Sequence, residues 1–245
     1  LVERRSTVGS GDAMGTVVKR YAKLLGPYPH PKFDIVANFF QTGYGMPSFT
    51  LLGDEVLRYV TMGAKRSGGK IPPGYLDHEY VHGWYGNGLF VDYTRGNWCE
   101  GLTTYCSNYY AKELESQTEA VAHRRGVLER FALRIHGPKD APVRHFVQKT
   151  EDTDNDISYG KASLLLHRAR RILGDEAFWR VLKEFTQARV GTVVSWDDWL
   201  AAFEAAGAGV TAQVQPYLDR PGLPALTAPK VEWTPKEGGG GTLTL

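Results

Sequence analysis

Cysteine is scarce in this chain, with Cys99 and Cys106 the only two in 245 residues, which excludes a scaffold built on disulfides. If both lie on one helix, seven residues at ~1.5 Å rise separate them by ~10 Å, beyond disulfide reach, so both are expected as free thiols and the redox environment stays open. Charge of one sign is also lacking. Lys and Arg number 29 against 27 Asp and Glu, a net charge of +2, and no basic face points to nucleic acid. No run approaches the ~18 apolar residues of a membrane helix, and LVERRSTVGSGDAMG at the start lacks the apolar run of a signal peptide. The chain opens on Leu rather than Met. A leader or a preceding domain is therefore expected to have been removed, and no compartment is assigned. What remains is an ordinary globular composition, 42% hydrophobic and 23% charged, long enough for one large domain or two closely packed lobes around a site.

The periodicity reads as strands first and helices afterwards, an α+β arrangement. Residues 12–25 have apolar positions at helical spacing with Gly26 as a stop. The stretches 32–40 (KFDIVANFF) and 48–52 (SFTLL) are short, apolar and rich in β-formers, with Gly43, Gly45 and Pro47 between them, and read as two strands of a small sheet. From about Tyr75 the chain reads as helical near 75–86, 97–113, 117–136, 160–173, 175–187, 195–206 and 211–219. Residues 1–110 are expected to form an α/β lobe and 111–226 a helical lobe completing a cleft. Residues 227–245 form a linker, an edge strand or the start of a truncated β segment. Glycines 238–241 read as a flexible turn.

His78-Glu79-Tyr80-Val81-His82 is an H-E-x-x-H sequence. On a helix its i, i+4 spacing puts both imidazoles on one face with Glu79 beside them, two nitrogen ligands and a carboxylate base facing one point. Glu100 lies eighteen residues past His82, in NWCEGLTTYCSNYY, where Trp98, Leu102, Tyr105, Cys106 and Tyr109 recur at helical spacing. A second helix packed on the first would present it to a metal; by itself it also fits a surface carboxylate near a helix N-terminus, favoured by the dipole. Two His and one Glu with an open fourth position is the ligand set of catalytic rather than structural zinc. Such a zinc lowers the pKa of its water and polarises a carbonyl, and a carboxylate at Glu79 can move the water's proton to a leaving amine.

These residues resemble the gluzincin metallopeptidases of the aminopeptidase N type. The resemblance is carried by HEYVHGWYGN, the EG that opens the next helix, ISYGKASLLLHRARRILGDEAFWRVLKEF, SWDDWLAAFEAAGAG and YLDRPGLPAL, in the family's order from about Tyr21 to Leu226. It implies a thermolysin-like catalytic domain, one zinc ion held by His78, His82 and Glu100, Glu79 as general base, and a peptide as substrate. It also implies flanking β domains beyond this chain. Tyr159 reads from the residues alone as a packing side chain ahead of an amphipathic helix; the resemblance implies that its phenol steadies the tetrahedral oxyanion, a role suited to a hydrogen-bond donor.

Two departures from the family pattern bear on function. The family usually places eighteen residues between the second His and the ligand Glu, and here there are seventeen, Gly83 to Cys99, a difference that a loop containing Gly88 and Gly96 can absorb. The family's aminopeptidases also carry a G-x-M-E-N segment on the edge strand beside the cleft, whose Glu grips the substrate's free amino terminus. The matching stretch, Gly43 to Phe49, has Gly45, Met46, Pro47 and Ser48 and no acidic residue. Strict selection of a free N-terminus is therefore not expected, while the strand can still pair with an extended peptide through its main chain.

Other features point elsewhere. Asp152, Asp154 and Asp156 alternate as in a calcium loop, but Ile157 stands where that loop needs Gly and Ser163 where it needs Glu, so a solvated acidic loop is expected. Arg168, Arg170 and Arg171 read as one solvated helix face, and Cys99, ~100° round the helix from Glu100, as a packing residue. His30, His123, His136, His145 and His167 have no ligand spacing. Against a zinc peptidase stand two rivals: a catalytically weak or inactive binding or scaffold domain that keeps the zinc site, and a hydrolase of a non-peptide substrate such as a small epoxide.

Overall fold

A computed structural model describes residues 11–66, 74–223, 232–236, 238 and 240–244. The order of elements is helix, small sheet, then helices. Helix α1 (Gly11–Leu25) seats Val17, Tyr21 and Leu25 in the core. Strands β1 (Asp34–Asn38), β2 (Gly43–Met46) and β3 (Phe49–Gly53) form a sheet in the order β1-β3-β2, with β1 parallel and β2 antiparallel to β3. Pro47 and Ser48 make the two-residue turn of the β2–β3 hairpin. Pro fits its first position and Ser48 takes φ 69°, the left-handed conformation that the second position of such a turn requires. The sheet thus has three strands where two were expected, and Pro47 and Ser48 belong to the turn rather than to the strand.

Helix α2 (Asp54–Arg66) was not expected. It begins with Asp54 and Glu55 at its positive end and buries Val60 with Leu52 and Leu76 in a small satellite core. Helix α3 (Leu76–Val81) carries the H-E-x-x-H residues, with His82 as its C-cap, and is shorter than the 75–86 read from periodicity, because the chain turns from Gly83 onward. The region expected as one helix over 97–113 is α4 (Cys99–Thr104), a π turn (Tyr105–Tyr109) and α5 (Tyr110–Glu115). A second π turn (Asp156–Lys161) leads into α7 (Ala162–Leu173), four residues before the expected start. Helices α6 (Gln117–Arg134), α8 (Asp175–Arg189), α9 (Trp196–Ala206) and α10 (Val210–Leu218) lie close to their expected places. The two-residue strands β4 (Phe90–Val91) and β5 (Val193–Val194) pair in parallel and tie the loop after α3 to the start of α9.

One core runs from α1 through α3 and α4 to α7, α8, α9 and α10. Beneath the H-E-x-x-H helix Tyr80 stacks on Tyr28 at 4.6 Å and meets Phe33 and Trp84 edge-on. Burying an aromatic side chain of this size contributes roughly 1.5–3 kcal/mol. The alternation in HEYVH therefore turns Tyr80 and Val81 inward and fixes which way the remaining face of α3 looks. At the C-terminal end β6 (Glu232–Pro235) and β7 (Gly241–Thr244) pair antiparallel with each other, and among the described residues they add no edge strand to the β1–β3 sheet. Residues 227–231 lie outside the described residues.

Candidate metal centre

The two imidazoles of α3 and the carboxylate of α4 converge. Nε2 of His78 and Nε2 of His82 each lie 3.4 Å from Oε2 of Glu100, and among the described residues these three form the one group of His, Cys, Asp and Glu donors close enough to hold a metal ion, within 4.8 Å of one another. Glu100 sits in the first turn of α4, whose N-terminus is fixed by Asn97: its Oδ1 accepts from the Cys99 N–H at 2.9 Å and its Nδ2 donates to Val147 O. The loop of seventeen residues reaches this geometry partly through Gly96, at φ 90° with Arg144 O packed against it, a position that admits no side chain.

Oε2 of Glu100 is buried and has no hydrogen-bond partner. An orphaned carboxylate oxygen facing two imidazole nitrogens is a costly arrangement unless a cation completes it, so the donor set fits a zinc ion of the three-ligand, open kind. In the absence of a cation the three groups are coupled through their charges. Burial by itself would raise the Glu100 pKa, yet the facing His82 and His78 rings hold it well below the usual carboxylate range. Burial lowers and Glu100 and Cys99 raise His82, which ends well above its ordinary value.

Glu79 lies beside the ligands beneath the edge strand. Burial raises its pKa, opposed by His78 and His82 and by the Gly45 N–H bonded to its carboxylate. The closeness of β2 explains its glycines. A Cβ on Gly43 would stand 2.2 Å from Oε1 of Glu79, and one on Gly45 would stand 2.5 Å from Cβ of His82. Gly45 O accepts from Asn87 Nδ2 at 3.0 Å, so both main-chain groups of Gly45 are engaged by the protein itself. Met46 closes the hairpin opposite Phe49, and Pro47 and Ser48 turn beyond it. Tyr159, on the second π turn, lays its ring nearly parallel to His78 with centroids 6.0 Å apart, and its hydroxyl lies close to Glu100. Burial and that carboxylate push its phenol pKa upward, so it is a proton donor at all ordinary pH.

The structure separates the acidic triplet. Asp156 is buried and pairs with Arg134 and Arg130, Asp154 accepts from the Thr150 and Glu151 amides, and Asp152 pairs with Lys149. Arg170 is not on a solvated face: it is buried and forked onto Glu113, with Asp175 alongside. Cys99 and Cys106 are both buried free thiols, and Cys99 packs against His82 and Tyr85. Sequence reading did not single out Asn87, Asn97 or Asn108, all of which bond to parts of the site. The spacing of Asn97, two residues ahead of Cys99, is a capping signal that could have found one of them.

A thermolysin-like α+β domain with a candidate metal centre is the kind of protein that this fold and donor set define. Residues 13–217 match the Peptidase family M1 domain, and the chain belongs to that family. It is 26% identical over 209 residues to an alanine/arginine aminopeptidase of Saccharomyces cerevisiae, covering 82% of this chain and 24% of that protein. To aminopeptidase N of Lactococcus lactis it is 30% identical over 165 residues, 64% of this chain and 19% of that one. Among solved structures, the M1 zinc metallopeptidase of Deinococcus radiodurans superposes with a TM-score of 0.71 at 19% identity, covering 92% of this chain and 48% of the other. The leukotriene A4 hydrolase of Saccharomyces cerevisiae does so with 0.62 at 16%, covering 87% and 35%. The chain thus spans about a quarter or less of the length of these curated relatives. Family membership implies a catalytic zinc ion as cofactor, and His78, His82 and Glu100 form the group that could bind it. No helix among the described residues is long and apolar enough to cross a membrane.

Proposed function

We propose that this chain is the catalytic part of a zinc-dependent peptidase that hydrolyses peptide bonds, with His78, His82 and Glu100 as zinc ligands, Glu79 as general base and Tyr159 as oxyanion donor. The observation that carries the reading is the convergence of the two imidazole nitrogens on a buried Glu100 oxygen that has no hydrogen-bond partner, with Glu79 and Tyr159 close by. When bound, zinc supplies a Lewis acid that polarises the scissile carbonyl and lowers the pKa of water.

The protein's own residues do the rest. Glu79, held by Gly45 N–H, accepts the proton of the attacking water on its carboxylate and returns it to the leaving amine nitrogen. The Tyr159 hydroxyl donates to the carbonyl oxygen as negative charge builds there. The first 110 residues supply one wall of the cleft, with β2 laid along it, and residues 111–226 supply the other through the π turn that bears Tyr159. A groove of about 440 Å³ opens beside Glu100 and Tyr159, lined by Tyr93, Asn97, Phe146, Val147 and Lys149 among others, and offers a mixed apolar and polar wall to a substrate side chain. Because Pro47 and Ser48 occupy the hairpin turn and carry no carboxylate, a free amino terminus is not strictly selected.

Glu79→Gln tests the proposal. The amide keeps size and packing but cannot take a proton, so zinc content by elemental analysis should stay stoichiometric while peptide turnover falls about 10²–10⁴-fold. Turnover at the wild-type rate, or turnover that survives removal of zinc by a chelator, would refute it.

A further inference from the structure

The two imidazoles of α3 are steadied from behind in different ways. His82 Nδ1 faces the carbonyl of Tyr85 at 3.0 Å, a main-chain acceptor that no substitution removes. His78 Nδ1 faces a replaceable side chain, Oδ1 of Asn108 at 2.9 Å. The same amide reaches the other way, where Nδ2 donates to Gly74 O at 3.2 Å, in the turn that leads into α3. A carbonyl can only accept, so this bond fixes which end of the amide is nitrogen and leaves the oxygen pointing at His78. His78 must then carry its proton on Nδ1, and the lone pair of Nε2 is left facing Glu100 and the metal position. Gly74 is suited to this contact: it sits at φ 92°, and a Cβ there would stand 2.8 Å from Asn108 Nδ2.

The other group near His78 Nδ1 is the Ser107 hydroxyl at 3.4 Å, which also lies 2.6 Å from Thr103 O and 2.8 Å from Asn108 Oδ1. On a regular α-helix Ser107, seven residues on from Glu100, would share the ligand's face, and Asn108 would lie about 80° round from it. The π turn Tyr105–Tyr109 widens the helix at this point and brings Asn108 to His78.

The geometry points to Asn108 as the positioning residue of His78, setting its tautomer and ring angle for zinc. This rests on the reading of His78 as a zinc ligand and extends it to a residue outside the ligand set. An imidazole's outer partner typically changes metal affinity 10–100-fold.

The test measures zinc binding and tautomer rather than turnover. Zinc affinity is measured by competition with a chromophoric chelator for wild type, Asn108→Leu and Ser107→Ala. The tautomer of His78 is read in the zinc-free chain at alkaline pH by long-range proton–nitrogen NMR. Wild type should show Nδ1 of His78 protonated. Asn108→Leu, which keeps the volume and removes the acceptor, should lose 10–100-fold in zinc affinity and show a mixed tautomer. Ser107→Ala, on the same turn, should bind within about twofold of wild type and keep the tautomer. The inference is overturned if His78 in wild type carries its proton on Nε2, if Asn108→Leu binds zinc as wild type does, or if Ser107→Ala loses as much as Asn108→Leu. Should Asn108→Leu fail to fold, the wild-type tautomer and the Ser107→Ala affinity decide. A wild-type chain that takes up no zinc overturns the ligand assignment and this inference together. One that binds zinc as described but cleaves no peptide removes only the hydrolytic reading.

Discussion

Replacing Gly43 by alanine puts one carbon between the edge strand and the general base. The new Cβ would lie 2.2 Å from Oε1 and 2.8 Å from Cδ of Glu79, where ordinary contact begins at 3.4 Å, so the carboxylate must retreat by about an ångström or the strand must lift. The obstructing atoms are the end of a side chain, which gives more easily than backbone, and the loss of stability should be small, about 1 kcal/mol. Catalysis is less tolerant: a misplacement near 1 Å costs on the order of 10²-fold. Gly45→Ala, two residues along, meets Cβ of His82 at 2.5 Å and the backbone oxygen of Glu79 at 3.1 Å. Those atoms belong to α3 itself, so the strand must move off the helix at about 1–3 kcal/mol, which at this chain length lowers Tm by about 2–4 °C per kcal/mol. The two variants should therefore separate by readout. Gly43→Ala lowers Tm by only about 2–4 °C, keeps its zinc content and loses kcat about 10²-fold, whereas Gly45→Ala lowers Tm by up to about three times as much. Calorimetry, elemental analysis and steady-state rates on one peptide suffice. Wild-type kcat in Gly43→Ala would refute the placement of Glu79 as base beneath this strand.

Three further outcomes are expected. Glu100→Ala should abolish stoichiometric zinc, and full metal content by elemental analysis would remove Glu100 from the ligand set. N-acetylated and free peptides of equal sequence should be cleaved within about tenfold of one another, since a charged contact to a terminal ammonium, worth roughly 1.5–3 kcal/mol, has no carboxylate at Pro47 or Ser48; a hundredfold preference for the free amine would contradict this. His167 is pushed down to about 4, by burial first and then by Arg124 and Arg170. Between that value and its unfolded value of about 6.5 the unfolded chain binds more protons, so stability should fall as pH drops through this window and be fully present above it. With the ring half-buried and partly screened, the loss should be about 1–2 kcal/mol, and His167→Leu should flatten the chemical-denaturation profile there; an unchanged pH slope would contradict it.

Local rules made much of this protein legible. The i, i+4 spacing of His78 and His82 puts them on one helix face whatever else the chain does, because helical geometry depends only on neighbouring residues. The same holds for α1, α6, α8 and α9, whose apolar periodicity is read within a single window. Helix α2 was not expected, although Asp54 and Glu55 open it and Val56, Leu57 and Val60 sit at helical spacing.

Tertiary structure decided the rest. Whether Glu100 meets the imidazoles depends on how α4 packs across seventeen residues of loop, held by Asn97 and by Gly96 under Arg144, contacts that no sequence window contains. The glycines of β2 have no mark in the sequence to distinguish them from loop glycines; their reason is the closeness of Glu79 and His82 on another element. Arg170 looked solvated because its neighbours in sequence are arginines, and it is buried because Glu113 lies opposite. The π turns left no sequence signature. They exist where packing between helices outweighs the regular hydrogen-bond ladder: one bears Tyr159, beside His78, and the other brings Asn108 to His78, a residue that regular helical periodicity would have turned elsewhere.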